Sequence, residues 1–133
     1  MLYRGSLTIP AGTLEAAPAS LNLDVCYGVL KRYVVYFPPG HAGTSYMQVW
    51  YRGRQILPTT LGETFRGDDL SIDLPERYPV YDPPFQLLLL GWSPDAVYDH
   101  VVYTLFFIEA PLIVQASILG SDRVVVPDFG EQP

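Results

Sequence analysis

The sequence predicts an all-β domain, an antiparallel β-sandwich of jelly-roll type with an extended C-terminal arm, and three observations carry that prediction. Apolar and polar residues alternate with a period of two in several short segments. The chain of 133 residues holds 13 Pro and 11 Gly, which punctuate it roughly every ten residues, as short strands joined by turns require. No segment carries the spacing of an amphipathic helix.

Tyr3, Gly5, Leu7 and Ile9 alternate with Arg4, Ser6 and Thr8, and Pro10-Ala11-Gly12 closes this first strand. After a loop over residues 13–19, Leu21, Leu23 and Val25 alternate with Asn22, Asp24 and Cys26, a second strand ended by Gly28. Residues 29–37 are rich in β-branched and aromatic side chains. Lys31 and Arg32 are adjacent there, so one must face inward or the strand begins after them; the later start is expected. The Pro38-Pro39-Gly40 stretch and its neighbours His41, Ala42 and Gly43 form a reversal, because Pro cannot donate a ladder hydrogen bond and Gly permits positive φ.

Tyr46–Tyr51 and Arg54–Leu57, separated by Arg52-Gly53, read as a tight β-hairpin. Residues 58–67 read as a long polar connection, and Leu70, Ile72 and Leu74 then alternate with Ser71 and Asp73 as a half-buried strand. With four prolines, residues 75–84 are expected as an extended surface excursion. The apolar stretches 85–90 and 101–109 are expected as the two strands at the centre of the sandwich, joined by a turn at residues 91–95. Two further β-prone pieces, 112–119 and 124–126, are interrupted by Gly120-Ser121-Asp122 and stopped by Pro127. The total is eight to ten strands, with a sandwich domain over residues 1–110 and an arm over 111–133.

A chain of this length fits one domain with one core. Hydrophobic residues make up 49% and charged ones 17%, more apolar surface than an average soluble domain needs. Fourteen acidic against eight basic side chains, a formal charge of -6, argue against nucleic acid as a partner, since phosphate binding needs clustered Lys and Arg. No apolar run approaches the ~20 residues of a membrane helix, so no membrane partner is expected. Met1-Leu2-Tyr3-Arg4-Gly5 lacks a basic stretch followed by an apolar run, and folding in the cytoplasm is expected.

Cys26 is the single cysteine and reads as a small core residue. His41 and His100 stand in no catalytic or metal-ligand spacing, and no nucleophile motif accompanies them. Asp68, Asp69, Asp73 and Glu76 could supply oxygens to calcium, but their spacing is that of a loop entering a strand. Asp95 and Asp99 could be paired acids for glycoside cleavage; turn formation and amide capping account for them more simply. Neither a catalytic residue nor a cofactor is expected, and the chain reads as a non-enzyme.

The aromatics point instead to a surface. Tyr78, Tyr81, Trp92 and Tyr98 fall in predicted loops, where exposed rings serve as interface anchors or stack on sugars. Arg52 and Arg54 bracket the hairpin glycine and could meet the acidic middle of a neighbouring copy head to tail. Leu112, Ile113, Val114, Val124, Val125 and Val126 could complete the sheet edge of another chain.

Residues 28–58 (GVLKRYVVYFPPGHAGTSYMQVWYRGRQILP) and 68–102 (DDLSIDLPERYPVYDPPFQLLLLGWSPDAVYDHVV) resemble the small β-sandwich structural proteins found in the virion gene blocks of tailed bacteriophages. The resemblance implies a capsid decoration or minor capsid protein that binds a coat lattice without a cofactor. Such a protein is a homo-oligomer, often a trimer, assembled in the host cytoplasm and resident in the virion. The competing expectation is a carbohydrate-binding module with Trp92, Tyr98 and Tyr81 as its stacking platform.

Overall fold

Period-two patterning is realised as nine strands in a computed structural model that describes residues 1–110. They are β1 (Leu2–Ile9), β2 (Ala19–Asp24), β3 (Gly28–Phe37), β4 (Tyr46–Tyr51), β5 (Arg54–Leu57), β6 (Phe65–Arg66), β7 (Leu70–Val80), β8 (Gln86–Trp92) and β9 (His100–Glu109). Every pairing is antiparallel. One sheet, called A, has the order β1-β9-β3-β7; the other, B, has β2-β8-β4, with β5 and β6 sharing the far side of β4. The two sheets pack face to face as a β-sandwich. The pairs β1–β9, β2–β8, β3–β7 and β4–β5/β6 are nested, as if one long hairpin had been folded over.

Alternation explains the core. In β1 the buried positions are Gly5, Leu7 and Ile9, and Leu7 and Ile9 join Val35, Phe37, Met47, Val49, Leu87, Leu89, Val102, Phe106 and Ile108 in one cluster. A Cβ at Gly91 would lie 2.6 Å from Ile9 Cδ1, so glycine there lets β8 approach β1 closely. At the β4–β5 turn Arg52 and Gly53 both adopt positive φ (52° and 76°), the type I′ geometry that matches strand twist.

Several boundaries differ from expectation for local reasons. β3 begins at Gly28, before Lys31 and Arg32, because a β-bulge falls between Leu30 and Arg32. The extra residue lets neither charge face inward: Lys31 reaches Glu109 (3.4 Å) and Arg32 reaches Asp73 (2.6 Å). β7 runs through Pro75 and Pro79 to Val80, where an excursion was expected. It is an edge strand, bonded to β3 alone, so a missing N–H on its outer side costs no ladder bond.

The two-residue strand β6 sits inside the expected polar connection, and β8 continues through Gly91 and Trp92, so the turn begins at Ser93. β8 and β9 are central as expected, but in different sheets, β8 between β2 and β4 and β9 between β1 and β3. The expected strands at 112–119 and 124–126 lie outside the described residues, as does the arm they would form.

Candidate interaction surfaces

The nested pairing gathers the connections at two ends. One end carries residues 25–27, the Arg52-Gly53 turn, residues 81–85 and the end of β9. Here the phenol of Tyr51 donates to the Asp82 carbonyl and accepts from the Asp82 N–H (3.0 Å). Arg52 donates to the Pro83 carbonyl, and Val25 N–H donates to the Phe85 carbonyl (2.9 Å). These bonds fix an aromatic group: Tyr27 stacks on Tyr81 with centroids 4.9 Å apart and meets Phe85 edge-on at 6.0 Å. Tyr81 is 45% exposed and Tyr27 is also exposed, so two stacked rings face solvent. Tyr78 lies lower, half-buried and edge-on to Tyr51.

The opposite end carries residues 10–18, 38–45, 67–69 and 93–99. Gly12 N–H donates to Ser93 O (3.1 Å), Ser93 N–H to Thr13 O (3.0 Å) and Ala11 N–H to Asp99 Oδ1 (2.9 Å). The last is the amide-capping role expected of Asp99. These bonds hold the first and last loops together, with Leu14, Val97 and Tyr98 exposed on them. Trp92 is only 7% exposed and lies against Tyr46, 6.2 Å between centroids, with the Arg66 guanidinium 5.3 Å from the Tyr46 ring.

Of the residues singled out in the sequence, the structure thus brings together Tyr81, Tyr78 and Arg52. Arg54 is exposed at the same end, opposite to the loops bearing Asp68, Asp69, Asp95 and Asp99. The platform expected from Trp92, Tyr98 and Tyr81 does not form. Trp92 is buried, and Tyr98 and Tyr81 occupy opposite ends. Leu112, Ile113, Val114, Val124, Val125 and Val126 lie outside the described residues. Cys26 is half-buried at the margin of the core.

A histidine pair escaped the sequence reading because its members are 59 positions apart and share no motif. His41 is 2% exposed and stacks on His100 at 4.3 Å. Its Nε2 lies 3.1 Å from the Val101 carbonyl, which can only accept, so Nε2 carries the proton and Nδ1 accepts from the Ser45 hydroxyl at 2.9 Å. Burial first, then the His100 charge, push the His41 pKa down, against smaller opposing effects of the Val101 carbonyl and Asp68.

The unfolded chain therefore takes up this proton at higher pH than the fold does. Stability from His41 is complete above the ordinary imidazole value of about 6.5 and is lost as pH falls through it toward the lower folded value. The expected result is a melting temperature that drops from pH ~7.5 to ~5. In His41→Gln that drop shrinks, from a lower plateau; thermal melts across pH check it.

Among the described residues no three His, Cys, Asp or Glu side chains converge as a metal-ligand set. Asp68 accepts from Gly40 N–H (2.9 Å), and Asp73 takes two hydrogen bonds from Arg32 that hold its carboxyl below its ordinary pKa.

The outsides of the two sheets differ. Over sheet B, residues 58–63 fold back onto Gln48 and Gln55: Gln48 donates to the Glu63 carbonyl, and Gln55 donates to the Pro58, Thr60 and Glu63 carbonyls while accepting from Gly62 N–H. No described element of secondary structure covers the outside of sheet A. Neither a protein-family model nor a curated protein matches the sequence.

Proposed function

We infer that the chain is a non-enzymatic structural protein of a virus particle, which binds and stabilises a capsid lattice as a decoration or minor capsid protein and works with other copies of itself. The observation that carries this reading is open apolar surface on the sandwich. Eleven large hydrophobic side chains are exposed among the described residues, at both ends, on sheet A and, at Leu61, over sheet B, and an assembly partner would cover such groups.

Two further points support it. The nested strand pairing supports a jelly-roll winding, an architecture of capsid domains and also of lectins. The rings of Tyr27 and Tyr81 are already stacked on each other, so anchoring a partner with them costs less side-chain entropy.

Co-sedimentation of the protein with empty coat lattices tests the reading. Binding is expected, and Tyr81→Ala should weaken it about tenfold while leaving the melting temperature nearly unchanged, since the ring is an exposed loop residue. Binding to a glycan array together with no lattice binding would establish the carbohydrate module instead; Trp92→Ala then reports whether that binding needs the buried indole.

A further inference from the structure

Antiparallel partners carry their side chains on the same face, so the register of sheet A gives rows across its outside. The middle row is Arg4, Leu105, Val34 and Asp73, reading from β1 through β9 and β3 to β7. On one side of it lies Leu2, Phe107, Arg32 and Pro75, and on the other Ser6, Tyr103, Tyr36 and Ser71. The two central strands thus present mostly apolar and aromatic groups and the outer strands mostly polar ones. A solvated antiparallel sheet would be polar throughout on this face; an apolar centre with a polar rim is the anatomy of an interface.

We propose that this face is the contact between two copies of the chain, related by a two-fold axis that runs along the strands between β9 and β3. Such an axis lays β1 on the partner's β7 and β9 on the partner's β3, without shifting either along its length. Arg4 then meets the partner's Asp73, and Leu105 meets the partner's Val34. Tyr103 faces the partner's Tyr36, Ser6 faces the partner's Ser71, and the Phe107 ring faces the partner's Arg32. Within one chain Arg32 already lies 5.0 Å from the Phe107 ring centroid, and Tyr36 stacks on Tyr103 at 6.4 Å.

Charge selects this orientation. A two-fold axis across the strands through the middle row would lay β1 on β1 and β7 on β7, setting Arg4 against Arg4 and Asp73 against Asp73, which electrostatic complementarity disfavours. Four strands spaced ~4.8 Å and three rows spaced ~6.8 Å give a face of about 400 Å² per copy. The total, on the order of 800 Å², is that of a weak, transient interface, so the expected dimer exchanges rapidly and dissociates in the upper micromolar range.

The proposal deepens the assembly reading by naming one partner and one surface. It is tested by sedimentation equilibrium of the full chain with no lattice present, so a monomer that still binds coat lattices sinks only the dimer, and a dimer that binds none sinks only the lattice role. Wild type is expected to dimerise. Arg4→Glu and Asp73→Lys each create like-charge contacts twice over and should raise the dissociation constant more than tenfold. An equimolar mixture of the two variants restores both opposite-charge pairs across the interface and should bring the constant back toward the wild-type value, short of it by the Arg32–Asp73 pair that Asp73→Lys loses within the chain, a rescue that no general loss of folding could give.

Tyr103→Glu, placing a charge in the exposed apolar centre, should abolish the dimer without altering the melt. A full-length chain that stays monomeric across the micromolar range overturns the proposal, including the case in which residues 111–133 cover this face. A dimer indifferent to these substitutions, or variants that the mixture does not rescue, overturns it as well.

Discussion

Phe106→Ala is expected to destabilise the fold by about 3–5 kcal/mol, which lowers the melting temperature by on the order of 10–20 °C. Phe106 has no exposure and stands at the middle of β9, which is bonded on both sides. Its inward row runs from Tyr3 through Phe106 and Tyr33 to Leu74, and Tyr33 in turn packs on Phe65 with centroids 5.6 Å apart. Removing the ring opens a cavity that the paired strands cannot close without breaking ladder bonds, so the loss lies above that of a site free to collapse. Chemical denaturation with and without the substitution measures it. A loss under about 1 kcal/mol would mean that the packing around β9 is not as described.

Strand identity was legible where one face is buried and the other wet. In β1 the alternation of Gly5, Leu7 and Ile9 with Ser6 and Thr8 maps directly onto burial, and the β4–β5 hairpin follows from two residues able to take positive φ. Legibility failed where one chemical fact had two structural outcomes. Adjacent Lys31 and Arg32 were compatible with a late strand start or with a bulge, and only the neighbours Glu109 and Asp73 make the bulge favourable. The prolines of β7 exclude a central strand but not an edge strand, and edge position is set by long-range pairing that local pattern does not encode.

The surfaces were less legible than the strands, because exposure of a ring depends on what folds over it. Trp92 and Tyr98 are six residues apart around one turn, yet Trp92 is covered near Tyr46 while Tyr98 is 75% exposed. Tyr27 carries no signal of its own; its value arises when residues 25–27 and 81–85 are brought to one end. The apolar outside of sheet A did leave a trace: in β9 both alternate sets of positions are apolar, with Tyr103, Leu105 and Phe107 facing out and Val102, Phe106 and Ile108 facing in. Such a strand asks for cover on both faces, and one of these faces has none among the described elements.

Deleting residues 111–133 is expected to leave a soluble, cooperatively folded domain and to abolish assembly on the coat lattice. The fold half follows from how β9 ends. Its last residues pair with both neighbours, Phe107 with Leu2 and Glu109 with Val29, and the Met1 amino group donates to the Ile108 carbonyl at 2.6 Å while Ile108 N–H donates to the Met1 carbonyl at 2.8 Å. The described core cluster runs from Leu7 to Ile108, so the melting temperature of the shortened chain should fall by no more than a few degrees.

The assembly half follows from chemistry left over. Leu112, Ile113, Val114 and Val124, Val125, Val126 are β-prone, and an extended apolar segment gains most by adding to another chain's sheet edge. The edges at β1 and β2 have no proline within the strand, whereas β7 has two, so β7 is the poorest acceptor. The sheet-A dimer needs none of these residues, and the shortened chain should still form it. Sedimentation with and without lattice therefore separates three results. Retained dimer with lost lattice binding is expected; retained lattice binding would end the role of residues 111–133; an unfolded chain would place part of the core beyond residue 110.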